Sequence, residues 1–208
     1  GSWEIQSLNP VPITFDSEGS KLQGIFYPAN ADKPAPTVIL CHGGPGNDKE
    51  PLGLGTKMMQ KGINALAFNY RGLWASEGYH LPENSLQDVS NATSFILSPD
   101  VIKKFSIDTT NLFIAGYSFG GNMALMGSLN NPCINGAISI AGFDLSIASR
   151  AMQVNEKFKK YFEKALDEWM SDSTICRGPG AKGAVDLMVS TGMTQFDWIK
   201  HADACGYS

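Results

Sequence analysis

Residues 112–122 read Leu-Phe-Ile-Ala-Gly-Tyr-Ser-Phe-Gly-Gly-Asn, so an apolar run meets a Gly-x-Ser-x-Gly turn that a helix can follow. This pattern is typical of a serine held on a sharp turn between a buried parallel strand and a helix, with its hydroxyl at the carboxyl edge of the sheet. We expect a strained backbone at Ser118. We expect Gly116 and Gly120 to be needed because side chains there would collide with the neighbouring strand and helix. Since N–H groups at the start of the helix would face a negative charge beside the hydroxyl, Ser118 is a candidate nucleophile.

By itself a Gly-x-Ser-x-Gly match is a weak signal in a chain with 22 glycines, since a plain glycine-rich turn gives the same letters. The flanking segments supply the context. Residues 37–41 (Thr-Val-Ile-Leu-Cys) form a β-branched run typical of a buried parallel strand, and residues 134–142 predict another strand after the serine.

A loop with little side-chain bulk, His42-Gly43-Gly44-Pro45-Gly46, follows the first of these strands. Such a loop lets backbone N–H groups approach a substrate oxygen closely. Acyl transfer needs two donors aimed at the oxyanion of the tetrahedral intermediate. We expect these donors to be the N–H groups of Gly44 and of Phe119, the residue after the serine. For His42, we expect a role in organising the loop by hydrogen bonding, with catalytic base as the alternative.

Residues 63–72 predict a third strand, which ends in Asn-Tyr-Arg-Gly. We expect Arg71 to tie neighbouring loops together, with a direct substrate contact as the alternative. Ser85 and Asp88 resemble a capping box that opens the next helix. The alternation of strands and helices, with the glycine-rich loop and the serine turn between them, predicts a doubly wound α/β fold.

Three motifs, His-Gly-Gly-Pro-Gly, Asn-Tyr-Arg-Gly and Gly-Tyr-Ser-Phe-Gly-Gly, follow one another between residues 13 and 144. In this order and spacing they resemble the α/β-hydrolase fold family, and within it the serine hydrolase branch with acylaminoacyl-peptidase-like and dienelactone-hydrolase-like members. The resemblance implies a mostly parallel sheet, to which the alternation in residues 11–27 adds an N-terminal antiparallel hairpin. It also implies that Ser118 forms an acyl-enzyme with a carboxylic ester, a thioester or an amide.

The resemblance implies a catalytic triad in the chain order serine, acid, histidine. His201 is the one histidine after Ser118, but it falls in a predicted short helix with no strand before it. Asp144 follows a strand and is a candidate acid, with a loop contact as the alternative. Residues 196–204 resemble the segment that leads into the seventh strand, so we expect the chain to lack the last two strands. No complete triad is identified.

The sequence divides into a hydrolase core, residues 1–145, and a helical cap-like segment, residues 146–208. Apolar residues recur in this segment at the spacing of one helical face: Phe158, Tyr161, Phe162, Ala165, Leu166, Trp169 and Met170. The resemblance implies a cap that arches over the serine, and a packed surface helix is the alternative.

Two functions compete. The first is a serine hydrolase that uses Ser118, for which a small carboxylic ester is favoured over a peptide; transfer of the acyl group to an alcohol or a thiol shares the same acyl-enzyme. The second is a truncated hydrolase or pseudoenzyme that serves as a binding scaffold, because no base is identified. A sheet without its last strands would have an exposed edge, which favours a homodimer.

Composition narrows the choice of partners. The net charge of −4 comes without a basic cluster, and no apolar stretch approaches the ~20 residues that cross a bilayer, so we expect neither nucleic acid nor a membrane as partner.

The four cysteines lack the spacing of a zinc site, and no metal or cofactor is implied. A Cys176–Cys205 disulfide is conceivable, but free thiols are favoured. The sequence leaves the cellular compartment open: a cytoplasmic location is favoured, and export by way of a removed signal peptide is the alternative.

Overall fold

Six strands form one sheet in the order β1-β2-β4-β3-β5-β6. The computed structural model describes residues 9–46 and 51–204, so a Cys176–Cys205 pairing lies outside the described residues. The strands are β1 (Val11–Ser17), β2 (Ser20–Tyr27), β3 (Ala35–Cys41), β4 (Asn64–Phe68), β5 (Ile107–Tyr117) and β6 (Gly136–Ile140). Strands β4, β3, β5 and β6 run parallel, whereas β1 and β2 pair antiparallel with each other and β2 pairs antiparallel with β4. The predicted doubly wound, mostly parallel sheet with an N-terminal hairpin is confirmed.

The hairpin owes its register to a two-residue turn. Ser17 pairs with Ser20, and Glu18 (φ 50°) and Gly19 (φ 80°) between them both adopt the left-handed conformation. Such a turn matches the right-handed twist of the two strands. The alternation in the sequence then places Phe15 and every second neighbour in the core.

Eight helices surround the sheet in the part of the chain that the structure describes. They are α1 (Leu54–Gln60), α2 (Pro82–Ile96), α3 (Pro99–Phe105), α4 (Phe119–Asn130), α5 (Leu145–Val154), α6 (Glu156–Met170), α7 (Gly180–Thr191) and α8 (Trp198–Ala204). Short 3₁₀ turns at Pro51–Gly53 and Thr194–Phe196 precede α1 and α8. None of the described helices is both long and apolar enough to cross a membrane.

The predicted capping box at the start of α2 is wrong. The helix begins at Pro82, whose ring fixes the φ angle that a first helical residue needs. Ser85 therefore lies inside the helix, where its hydroxyl donates to the Leu81 carbonyl at 3.2 Å. The Asp88 carboxylate accepts hydrogen bonds from the backbone N–H and the side chain of Arg71 and does not cap the helix.

Arg71 bonds the turn after β4 to helix α2, whereas we expected it to tie neighbouring loops together. Its Nε and its backbone N–H each donate to a different oxygen of Asp88 at 2.7 Å, and Nη2 donates to Gln87 Oε1 at 2.7 Å and to the Asn84 carbonyl at 2.9 Å. The hydroxyl of Ser17 donates to the same carboxylate at 2.5 Å. The turn after β4, helix α2 and the end of β1 are thus joined around one buried ion pair, whose charges are satisfied by hydrogen bonds.

The two faces of the sheet bury very different amounts of apolar surface. The face covered by α2 and α4 carries the large core, which includes Ile39, Leu66 and Ile114. The opposite face carries a small cluster: Tyr27, Val38, Leu40, Ala65, Ala67 and Ala115, packed against Met58 and Met59. Along this second face, Ala115 of β5 pairs with Ile138 of β6, which is 56% exposed. An apolar row therefore continues into solvent at the β6 edge.

We expect this edge to make the chain self-associate, because an unpaired strand with exposed isoleucines invites pairing with a second copy. The double change Ile138→Thr and Ile140→Thr keeps β-branched side chains but removes apolar surface, and should shift the chain toward monomer in sedimentation equilibrium. Val154→Thr, at a residue that is 87% exposed on α5, is the matched control and should leave the association unchanged. A wild-type chain that stays monomeric at every concentration would contradict the prediction.

Candidate active site

Ser118 occupies the turn between β5 and α4 with φ 53° and ψ −125°, a conformation that is costly for a residue with a side chain. Neighbouring backbone groups hold it there. Its N–H donates to the Ile140 carbonyl at 3.0 Å, and its carbonyl accepts from the N–H groups of Gly121 at 2.9 Å and Phe143 at 3.0 Å. The strained residue is thus bonded both to α4 and to the end of β6.

The flanking glycines are required by close backbone contacts. A Cβ on Gly116 would lie 2.0 Å from the Gly120 carbonyl oxygen in the first turn of α4. A Cβ on Gly120 would lie 2.1 Å from the carbonyl oxygen of Cys41 and 2.5 Å from that of His42. Helix α4 therefore touches the end of β3, backbone against backbone, as it leaves the serine turn.

The loop after β3 lies directly beside Ser118. A Cβ on Gly43 would be 3.0 Å from the Cβ of the serine, and Gly44 packs so closely against the indole of Trp169 that a Cβ there would be 2.7 Å from the ring. The indole N–H of Trp74 donates to the carbonyls of Pro45, at 3.0 Å, and Gly46. Gly44 and Phe119, the predicted oxyanion donors, line the same cavity as Ser118.

This cavity has a volume of about 300 Å³ and lies between the serine turn and two helices, α6 and α7. Its helical wall consists of Phe162, Ala165, Leu166, Trp169, Met170, Ala184, Leu187 and Met188. The apolar face predicted for residues 158–170 thus contributes to a wall over Ser118. Phe162 also stacks on Phe143 of the core with ring centroids 5.4 Å apart. The division into a core and a cap stays a prediction.

The connection between α6 and α7 is bonded to the loop that follows β4. The N–H of Arg177 donates to the Gly72 carbonyl, and the N–H of His80 donates back to the Arg177 carbonyl, each at 2.8 Å. The Arg177 guanidinium also donates to the carbonyls of Trp74 at 2.6 Å and Ser76 at 2.7 Å. These bonds fix the position of the two helices over the cavity.

His80 is a cavity residue that the sequence did not reveal. It is 7% exposed, its Nδ1 has no hydrogen-bond partner among the described residues, and its imidazole lies near both Phe119 and Trp169, with ring centroids 6.0 Å apart in each case. Burial, and after it the nearby His42, lowers the pKa of His80 to about 4, while the backbone of Arg71 opposes the shift. No motif surrounds His80 in the sequence, so only the folded chain identifies it.

His42 organises the loop, as we expected. Its Nδ1 lies 2.6 Å from the Gly43 carbonyl oxygen, which fits an Nδ1–H donor, and its own carbonyl accepts from the Tyr70 hydroxyl at 2.9 Å. The side chain is fully buried, and burial lowers its pKa to about 4. A ring so placed is a weak base at neutral pH.

Neither His201 nor Asp144 lines the cavity or is hydrogen-bonded to Ser118. Asp144 caps α5, where its Oδ1 accepts from the N–H and hydroxyl of Ser146 at 2.8 and 2.7 Å and from the N–H of Ile147 at 3.0 Å. His201 lies on α8 and is not among the residues that line the cavity. Between residues 9 and 46 and between 51 and 204, no side chain hydrogen-bonds to the Ser118 hydroxyl, and no group of three His, Cys, Asp or Glu is placed to hold a metal ion.

A family model described as BD-FAE matches residues 24–190. The chain belongs to this family. It is 31% identical over 117 residues to the uncharacterized protein YfhR of Salmonella typhi, an overlap that covers 54% of this chain and 38% of that protein. It is 28% identical over 117 residues to the α/β-hydrolase domain-containing protein WAV2 of Arabidopsis thaliana, covering 56% of this chain and 36% of that protein. The chain thus spans less than two-fifths of the length of each of these two curated relatives.

Solved structures show the same fold. The α/β hydrolase GrgF from Penicillium sp. sh18 superposes with a TM-score of 0.61 at 17% identity, over 97% of this chain and 68% of its own. Est1E from Butyrivibrio proteoclasticus superposes with a TM-score of 0.55 at 18% identity, and the match covers 67% of this chain and 55% of Est1E. XC6422 from Xanthomonas campestris is described as a serine hydrolase without a lid. It superposes with a TM-score of 0.54 at 21% identity, and the match covers 64% of this chain and 62% of XC6422. The α/β-hydrolase fold of this BD-FAE family member is therefore established.

Gly120→Ala tests the contact between α4 and β3. The new methyl group would overlap two backbone carbonyls that cannot move aside, so we expect the free energy of unfolding in urea to fall by at least about 3 kcal/mol. Gly136→Ala is the matched control: its Cβ would meet only Phe113, at an ordinary 3.4 Å, and alanine suits a strand better than glycine. Equal stability of the two variants would contradict the close contact.

The two buried histidines predict acid sensitivity. A pKa of about 4 in the fold, below the ordinary 6.5, means that the unfolded chain takes up protons first, so stability is complete above pH ~6.5 and declines toward pH ~4. When the pH is lowered from ~7 to ~5, each of the two histidines should reduce the free energy of unfolding by about 2 kcal/mol. In urea unfolding, His80→Gln should remove about half of the histidine contribution; an unchanged pH dependence in this variant would refute the prediction for His80.

Proposed function

We propose that this chain is the nucleophile-bearing part of a serine hydrolase that acts on carboxylic esters. The observation that carries the proposal is the position of Ser118, a strained residue on a strand-to-helix turn that lines an apolar cavity together with Gly44 and Phe119. Membership of the BD-FAE family supports hydrolysis as the reaction.

In the proposed reaction the Ser118 hydroxyl oxygen attacks the carbonyl carbon of the ester and loses its proton to a base. The N–H groups of Gly44 and Phe119 then stabilise the negative charge on the former carbonyl oxygen. Collapse of the tetrahedral intermediate breaks the bond to the alcohol oxygen, which takes up a proton. Water releases the acid from the acyl-enzyme in a second, equivalent step.

The cavity supports a small acyl group as the part of the substrate next to the serine. About 300 Å³ is at the small end of ligand pockets, and the wall from α6 and α7 leaves little room for an extended peptide. Est1E, one of the similar structures, has been solved with ferulic acid bound. An ester with a compact apolar acyl group fits such a site better than an amide within a polypeptide.

The chain has three histidines, and none of them is hydrogen-bonded to the Ser118 hydroxyl. His42 is committed to Gly43, His80 is buried with its pKa lowered, and His201 lies outside the cavity wall. The oxyanion donors and substrate binding alone still accelerate acyl transfer, by roughly 10³–10⁴ over water in a protease that has lost its triad. Since a serine hydroxyl without an adjacent base is a weak nucleophile, we expect Ser118 in the 208-residue chain to be acylated slowly.

A fluorophosphonate probe tests the nucleophile, because it reacts covalently with an activated serine. We expect mass spectrometry to locate the label on Ser118, and we expect slow release of p-nitrophenol from p-nitrophenyl acetate that falls in Ser118→Ala to the rate left by the oxyanion donors and substrate binding alone. Ser128→Ala, on the same helix but away from the cavity, is the matched control and should behave as wild type. No label in a protein shown to be folded would refute the proposal. Label without ester turnover would favour the alternative of a binding scaffold.

A further inference from the structure

Trp74 has a backbone conformation that is costly for a bulky residue. Its φ angle of 50° lies in the left-handed region, where a residue with a side chain is strained. Two hydrogen bonds to the connection between α6 and α7 hold it there. The Trp74 N–H donates to the Ile175 carbonyl at 2.8 Å, and the Trp74 carbonyl accepts from the Arg177 guanidinium at 2.6 Å. Strain that the surrounding structure maintains in this way is typical of functional sites.

The side chain of Trp74 reaches the glycine-rich loop that follows β3. Its indole N–H is shared between the carbonyl oxygens of Pro45, at 3.0 Å, and Gly46. Both carbonyls therefore point toward the indole, which fixes the orientation of two successive peptide groups. The ring of Pro45 fixes its own φ angle, so a rotation of these peptides is not absorbed there and is passed back to Gly44.

Gly44, the predicted oxyanion donor, is also held from its other side. The Gly43 carbonyl oxygen lies 2.6 Å from His42 Nδ1. The C=O and N–H groups of a trans peptide point in opposite directions, so this contact sets the direction of the Gly44 N–H. Trp169 packs against Gly44 itself, since a Cβ there would lie 2.7 Å from the indole. The donor thus lies between a histidine that fixes the peptide before it and a tryptophan that fixes the peptides after it.

We propose that Trp74 is a positioning residue that aims the Gly44 N–H at the oxyanion; this inference rests on the proposed function. A preorganised donor stabilises the transition state because it needs no reorientation when the charge develops. Without the indole N–H, the Pro45 and Gly46 carbonyls lose their shared donor, and the loop gains conformations in which the Gly44 N–H points elsewhere. The apolar wall from α6 and α7 stays in place, so the loss falls on the rate of reaction and not on binding.

Trp74→Phe tests the inference, because it removes the indole N–H and keeps an aromatic ring. When Ser118 reacts with a fluorophosphonate, the serine oxygen bonds to phosphorus, fluoride leaves and the hydroxyl proton passes to solvent. Negative charge on the phosphoryl oxygen then meets the oxyanion donors. We expect the limiting labelling rate at saturating probe to fall about tenfold or more, with the half-saturating concentration changed less than about twofold. Trp198→Phe, on α8 and outside the cavity wall, is the matched control and should label as wild type.

An NMR measurement reports on the loop without any reaction at the serine. The chain contains two Gly-Gly pairs, 43–44 and 120–121. When cell-free synthesis labels glycine with ¹³C at the carbonyl and with ¹⁵N, a carbonyl-filtered spectrum selects the amides of Gly44 and Gly121. In Trp74→Phe the Gly44 signal should broaden or split, whereas the Gly121 signal, from an N–H bonded to the Ser118 carbonyl, should stay sharp. Both signals should stay sharp in Trp198→Phe.

An unchanged limiting rate in Trp74→Phe overturns the inference and leaves Ser118 as the nucleophile. So does a change confined to the half-saturating concentration, or a lower rate with an unchanged Gly44 signal. No label on the folded wild-type chain refutes the proposed function instead, and the Gly44 signal then decides alone whether Trp74 orients the loop. Should urea unfolding show that Trp74→Phe is unfolded, Trp74→Gly takes its place, because glycine adopts a φ angle of 50° without strain.

Discussion

The contact of Gly120 with the carbonyl oxygens of Cys41 and His42 is the constraint on which the site depends. It brings the first turn of α4 against the end of β3 with no side chain between them. The serine turn and the glycine-rich loop are thereby placed side by side, although about 75 residues separate them in the chain. The cavity, its polar groups and the helices that close it are all arranged around this junction.

Much of this arrangement is encoded locally, which is why the sequence predicted it. The hairpin follows from alternating residues and a two-residue turn, and the buried strands follow from β-branched runs. The strained serine follows from Gly-x-Ser-x-Gly between an apolar run and a helix. Residues 158–170 show their apolar face by spacing alone, and that face does meet other elements, with Phe162 stacked on Phe143.

The sequence was uninformative where a residue's role depends on partners far away in the chain. Asp88 looks like a helix cap by spacing, yet in the fold its carboxylate accepts hydrogen bonds from Arg71, in the turn after β4, and from Ser17, at the end of β1. His80 has no local motif, and its importance comes from α6 and from the segment around Arg177, about 90–100 residues later. Helix α7 begins at Gly180 within a glycine-rich stretch that local propensity assigns to a loop.

The bonds of Ser118 to the end of β6 have a mechanical consequence. Its N–H is bonded to the Ile140 carbonyl, so the residue that bears the nucleophile is linked to an edge strand of the sheet. Any displacement or fraying of that strand is passed to the serine backbone through this hydrogen bond and through the ladder between β5 and β6. A strand that paired with the free edge of β6 would therefore restrict the motion of the Ser118 backbone. The rigidity of the site thus depends partly on the edge of the sheet.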